Sequence, residues 1–180
     1  TAFPFDMKKI SSANFSRKKL GNYAKEAATF FQAGEIPFFL SVNYPDAHRP
    51  FIARTGNLPA KPLTGDDVKP LAYFGLDTPQ LRNDTANYYN CLSRLDSLIG
   101  DILAALEANG LADNTLIVYT SDHGEQVGEH GLWWKQTFYE ESVRVPAILC
   151  WPGELPAGSR SVVRKRLRSA FWCALVAILV

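Results

Sequence analysis

Hydrophobic positions along the chain change their period several times, and each change predicts an element. Between Ser16 and Ala33, residues Leu20, Tyr23, Ala24, Ala27, Phe30 and Phe31 recur at helical spacing, and Gly34 stands where a helix would stop. Ile36 to Val42 is a short apolar run of strand-favouring residues. Pro37 lies near its start and Asn43-Tyr44-Pro45-Asp46 beyond its end, which predicts a buried strand entering a polar loop. From Arg49 to Asp84 the periodicity is lost among Pro, Gly and Asp, as in a long irregular excursion that is functional or flexible. The strongest stripe runs from about Thr85 to Ala108, with Tyr88, Leu92, Leu95, Ile99, Ile102, Leu103 and Leu106 on one face. Asn109-Gly110 ends it, because glycine readily takes the left-handed conformation beyond a helix. Thr115 to Thr120 is a β-branched strand, and Val145 to Trp151 a third apolar run, read as a core strand, closed by Pro152-Gly153.

Strands alternating with long helices predict an α/β fold, a mostly parallel sheet flanked by helices on both faces. In such sheets chemistry collects beyond the carboxyl ends of the strands. His48 and the pair Asp122-His123 both follow predicted strands, so one cleft could hold them. The end of the chain departs from this pattern. Val163 to Arg168 is strongly basic and runs into the ten apolar residues Phe171 to Val180, about half of the ~20 that span a bilayer. No polar face makes this run an interfacial helix, so membrane association is not expected. Residues 161–180 are read as a tail set apart from residues 1–160, a truncated or non-native end such as a shifted reading frame would give.

Composition narrows the function classes. Nineteen Lys and Arg against eighteen Asp and Glu leave a net charge of +1, so no electrostatic field favours nucleic acid or an acidic membrane. Three cysteines, Cys91, Cys150 and Cys173, are far apart and show no paired zinc spacing or disulfide framework. Thr1 to Lys9 lacks the regions of a signal peptide, which leaves a processed leader or a start within a longer protein.

The chemistry gathers in Tyr119-Thr120-Ser121-Asp122-His123-Gly124-Glu125, followed by Gly128-Glu129-His130-Gly131 and Lys135. A carboxylate and an imidazole on consecutive residues can face one cation if the backbone turns sharply, which Gly124 permits. Lys135 could add a compact positive charge toward the same anion, and His48 could hand a proton to a departing oxygen near neutral pH. Each residue also has a plainer reading. Asp-His-Gly is a common turn composition, a lone histidine such as His48 is often a hydrogen-bonded loop residue, and Lys135 alone would be a solvated charge. His130 reads as a turn-orienting residue and Trp133-Trp134 as packing in the core and cleft wall. The pair Asp66-Asp67 follows no apolar strand and reads as solvated.

Three segments, in order, resemble the sulfatase family of the alkaline phosphatase superfamily. Pro37 to Phe51, with its Asn-Tyr-Pro-Asp-Ala-His core, is similar to the segment whose strand delivers a histidine to the sulfate pocket, especially in the heparan N-sulfatase-like branch. Ser121 to Glu125 with Gly128 to Gly131 and Lys135 is similar to the second metal-binding segment of iduronate-type and choline-type sulfatases. Phe138 to Pro146 with Trp151-Pro152-Gly153 resembles the family segment on the carboxyl side of those metal ligands. The likeness spans about Pro37 to Gly153, and three ordered motifs are far more specific than one.

The resemblance implies an alkaline phosphatase-like fold, with Asp122 and His123 as metal ligands, usually for Ca2+, Lys135 on the sulfate and His48 assisting the leaving group. Because imidazole departs from calcium's preference for oxygen, Zn2+ or Mn2+ stays open. It also implies a formylglycine nucleophile, a sulfated small molecule or glycan as substrate, and a periplasmic, secreted or lysosomal location. The family's Cys/Ser-x-Pro-x-Arg motif does not occur in the chain. Cys91-Leu92-Ser93-Arg94 lacks the proline and Cys150-Trp151-Pro152 lacks the arginine, and no paired-aspartate segment follows an apolar strand. The expectation is therefore an incomplete fold, the central part of a sulfatase, inactive until joined to a missing amino-terminal half. Two readings stand beside it: a phosphoester or phosphonate hydrolase of the same superfamily, and a non-catalytic remnant.

Overall fold

The structure, a computed structural model, describes residues 22–34, 37–160 and 175–179, the last as backbone. Helix α1 covers Tyr23–Gln32 and buries Tyr23, Ala27 and Phe31, one face at helical spacing. The earlier part of the helix predicted from Ser16 lies outside the described residues. Strand β1 is Phe39–Asn43, and Phe38, Leu40 and Val42 alternate onto the core.

Helix α2 begins earlier than its apolar stripe, at Pro79, and runs to Ala108. The reason is local. Thr78 Oγ1 accepts a hydrogen bond from the Leu81 backbone N–H at 3.2 Å, and Pro79 occupies the first turn, where its missing N–H costs nothing. At the far end Gly110 takes φ 69°, and the Leu111 N–H reaches back to the Leu106 carbonyl. The buried face includes Cys91, Arg94, Leu95, Leu98, Ile102 and Leu106, whereas Leu92 is 38% exposed. The true stripe is thus rotated from the predicted one, because it includes an arginine that periodicity assigns to solvent.

Strand β2, Leu116–Thr120, turns Ile117 and Tyr119 toward the core. A four-residue helix α3, Glu140–Val143, precedes strand β3, Ala147–Cys150. A last strand β4, Leu175–Leu179, lies within the segment read as a tail. The sheet order is β1-β4-β2-β3, and all three neighbouring pairs are antiparallel. This corrects the mostly parallel sheet. β1 and β2 do share a direction, as the α2 crossover allows, yet β4 runs the other way between them. β3 is antiparallel because residues 121–146 fold back on themselves and return the chain beside the end of β2, pairing Thr120 with Ala147. Apolar pattern reveals that a strand exists but not the direction of its neighbour.

Two further corrections come from packing. α1 and α2 meet each other and the same side of β1 and β2 in one cluster that joins Tyr23, Phe31, Val42, Tyr44, Leu95 and Ile102. Among the described residues helices therefore cover one face, not two. β3 is an edge strand exposed along its whole length, with Ile148 58% and Leu149 55% exposed, and Cys150 is exposed with it. No helix among the described residues is long and apolar enough to cross a membrane.

The irregular excursion is anchored to α2 by specific polar contacts. Buried Asn90 exchanges two hydrogen bonds with the backbone of Leu63, at 2.7 and 2.9 Å. Arg94 is fully buried and grips Asp46 with two nitrogens, at 2.6 and 3.0 Å, and the Ile52 carbonyl with a third, at 3.0 Å. These bonds hold the loop after β1, and with it His48, against the helix. Asp66 and Asp67 are exposed, as expected, and the Asp67 carboxylate closes a local turn by accepting from Thr64.

Candidate metal and anion site

The site begins where β2 ends. Asp122 and His123 are half-buried, and their side chains converge: Asp122 Oδ2 lies 3.6 Å from His123 Nε2. Asp122 Oδ1 also accepts the His123 backbone N–H at 3.0 Å, which fixes the carboxylate over its neighbour. His123 Nδ1 lies 2.7 Å from the Gly124 carbonyl. A carbonyl can only accept, so this contact assigns the ring proton to Nδ1, and a neutral ring then points the Nε2 lone pair at the carboxylate. Two acceptors facing each other need a proton or a cation between them. The donor set therefore fits a divalent ion bound by one carboxylate oxygen and one imidazole nitrogen.

Burial pushes the Asp122 carboxyl above the usual carboxylate range; the His123 ring when it carries a charge, local backbone N–H groups and Lys135 pull it back. In the chain without a cation, the native state thus holds this proton more tightly than the unfolded state. The sign is then fixed: the stability penalty is absent below the ordinary carboxylate range and fully present above the raised value. A bound cation offsets it.

Gly124 is required for a reason that differs from the one expected. A Cβ at this position would stand 1.8 Å from the Glu141 carbonyl oxygen, and the Gly124 N–H donates to the Ser142 carbonyl at 2.9 Å. Close approach of two backbones, not a turn angle, excludes a side chain here. Gly124→Ala should therefore shift the loop, cost about 1–3 kcal/mol of stability and weaken cation binding at Asp122. Thermal unfolding and a calcium titration of the variant check both.

Trp134 stands between His48 and Lys135, and of these two only Lys135 has a charge effect on Asp122. The Trp134 ring centroid lies 5.8 Å from the His48 ring and 5.9 Å from Lys135 Nζ. Of the two tryptophans read as core and cleft-wall packing, neither is fully buried: Trp134 is 44% exposed, with φ 80°, and Trp133 is half-buried under the Arg49 guanidinium at 3.8 Å. Glu125 Oε1 holds the Trp134 backbone N–H at 2.6 Å, and the Gln126 N–H donates to the Trp134 carbonyl at 2.9 Å. Gln126 is buried and also donates to Ser142 Oγ at 2.8 Å. These two residues close the loop that presents Lys135. Sequence pattern placed Glu125 at the end of the Ser121–Glu125 segment without a role and did not single out Gln126, although a Glu-Gln pair directly after Asp-His-Gly was the available signal. His48 Nδ1 lies 2.6 Å from the Arg49 carbonyl. By the same logic its proton sits on Nδ1 and the ring orientation is fixed.

Comparison with known proteins gives the arrangement a family. The sulfatase family model matches residues 13–171. The choline-sulfatase of Rhizobium meliloti is 31% identical over 67% of this chain and 28% of its own length. Mouse iduronate 2-sulfatase is 28% identical over 88% of the chain and 35% of its own length. The crystal structure of the sulfatase candidate yidJ from Bacteroides fragilis superposes with a TM-score of 0.54 at 32% identity, covering 72% of this chain and 30% of that one. The chain thus spans about a third of the length of these relatives. The structural match makes the fold a partial alkaline phosphatase-like α/β architecture, here built on a small antiparallel sheet. On the family match and the choline-sulfatase identity together, the chain belongs to the sulfatase family.

Proposed function

We propose that this chain is the metal- and sulfate-binding part of a sulfuric ester or sulfamate hydrolase. The observation that carries the reading is the Asp122 carboxylate facing His123 Nε2 at 3.6 Å, with the charge of Lys135 acting on the same carboxyl. Asp122 and His123 hold a divalent ion, calcium first, with zinc or manganese suited to the imidazole. Such an ion supplies Lewis acidity toward a sulfuryl oxygen. Lys135 adds an ammonium charge that draws the sulfate into place and favours the more negative transition state. His48, its Nδ1 proton held by the Arg49 carbonyl, in its imidazolium form would hand the Nε2 proton to the departing oxygen or nitrogen and be left as the neutral Nδ1–H ring. Two ligands do not fill a calcium shell of about six to eight oxygens. The remaining ligands and the formylglycine nucleophile are assigned to the rest of a longer protein.

The names of the relatives, a choline-sulfatase and an iduronate 2-sulfatase, support a sulfated small molecule or glycan as substrate. Expression of the longest reading frame that contains this chain tests the function, with sulfate and phosphate release measured on matched aryl esters. Sulfate should be released faster, and Lys135→Ala should lower kcat/KM by at least about 10². Faster phosphate release would favour the phosphoester reading instead. Catalysis indifferent to Lys135 would remove its proposed role.

A further inference from the structure

A second group of metal-ligating side chains lies outside the Asp122-His123 pair. Glu129, His130 and Glu141 each offer one ligand atom, and the three atoms lie within 4.8 Å of one another. Two of the donors come from the tight turn Glu129–Gly131 and the third from α3. Several features of the group point to a cation. His130 Nε2 lies 3.6 Å from Glu141 Oε2, and that oxygen is shielded from solvent with no hydrogen-bond partner. The Glu141 side chain as a whole is 24% exposed, but the shielded oxygen gains from a positive charge that meets it. Among the described residues no lysine or arginine forms an ion pair with either glutamate, so the two carboxylates share only the histidine. His130 itself is held at φ 55°, a conformation uncommon outside glycine, and its ring stacks on Tyr139 at 4.2 Å and 22°. The stacking orients the ring, although its side chain is 44% exposed.

We propose that Glu129, His130 and Glu141 bind a zinc-class divalent ion that braces the loop carrying the first site. One imidazole and two carboxylates form a three-ligand set suited to zinc, with a fourth position open. Tetrahedral donors sit roughly 3.4 Å apart at ordinary zinc bond lengths, a closure that side-chain rotation of Glu129 and Glu141 supplies. The ion would tie the Glu129–Gly131 turn to α3. Gly124 donates to the Ser142 carbonyl and lies against that of Glu141, so fixing α3 fixes the backbone beside Asp122 and His123.

The test titrates zinc chloride into the 180-residue chain carrying Asp122→Ala, which silences the first site, and monitors binding by calorimetry and thermal unfolding. One zinc should bind, and the unfolding midpoint should rise. Adding Glu141→Gln, or separately His130→Ala, should weaken that binding at least about tenfold and abolish the rise. His130 is exposed, so its variant keeps the test valid if the Glu141 variant folds poorly; metal-free circular dichroism identifies that case. Zinc binding unchanged in both variants, or no zinc bound in the Asp122→Ala chain, would overturn the proposal. Neither result bears on calcium binding at Asp122.

Discussion

Arg94→Ala is expected to lower the unfolding free energy by about 3–5 kcal/mol, enough to leave much of the population unfolded. The guanidinium is 0% exposed and its partner Asp46 1%. Its nitrogens serve two carboxylate oxygens, the Ile52 carbonyl and Cys91 Sγ. Removing the arginine leaves a buried carboxylate and a buried carbonyl without their donors. Most of the loss is the penalty on these orphaned groups rather than the net worth of the pair. Arg94→Met with Asp46→Leu should therefore be less damaging than Arg94→Ala alone. The pair also joins α2 to the loop two residues before His48, so partial unfolding should begin there. Urea denaturation of the single and double variants checks the order. A single variant as stable as wild type would show that the buried contact contributes nothing.

That ion pair also shows where sequence reading stops. The α2 face was legible from Leu95, Ile102 and Leu106, and its end from Asn109-Gly110, because helical period and a left-handed glycine are local signals. Arg94 belongs to the same buried face, yet a charge counts against burial until its partner is known, and Asp46 lies 48 residues away. Asp122 and His123 were legible as a pair because adjacent donors after a strand need only local geometry to converge. Trp134 was not, since its role depends on a loop closed by Glu125 and Gln126. The need for glycine at position 124 was anticipated, but its cause, the Glu141 carbonyl, is a tertiary contact. Strand direction failed for the same reason: β1 and β2 read correctly as strands, while their separation by an antiparallel β4 is set by pairing partners that no local pattern encodes.

The second large effect concerns the cation. Asp122→Ala removes the carboxylate that opposes His123 Nε2 and leaves the imidazole alone, a poor calcium ligand. Calcium affinity at this site should fall by at least about a hundredfold, at or beyond the top of the roughly 10–100-fold range typical of residues that only support a ligand. Acid should mimic the substitution. Only the ionised carboxylate binds the metal, and burial raises its proton affinity, so calcium binding should weaken as pH falls through the raised carboxyl range, earlier than an exposed aspartate would allow. The decisive measurement is calorimetric titration of calcium into the longest reading frame that contains this chain, as wild type and as the Asp122→Ala variant, near neutral pH. Binding in the wild type and its loss in the variant is the result expected. Equal binding by the two, or none by the wild type, would contradict a cation seated at the end of β2.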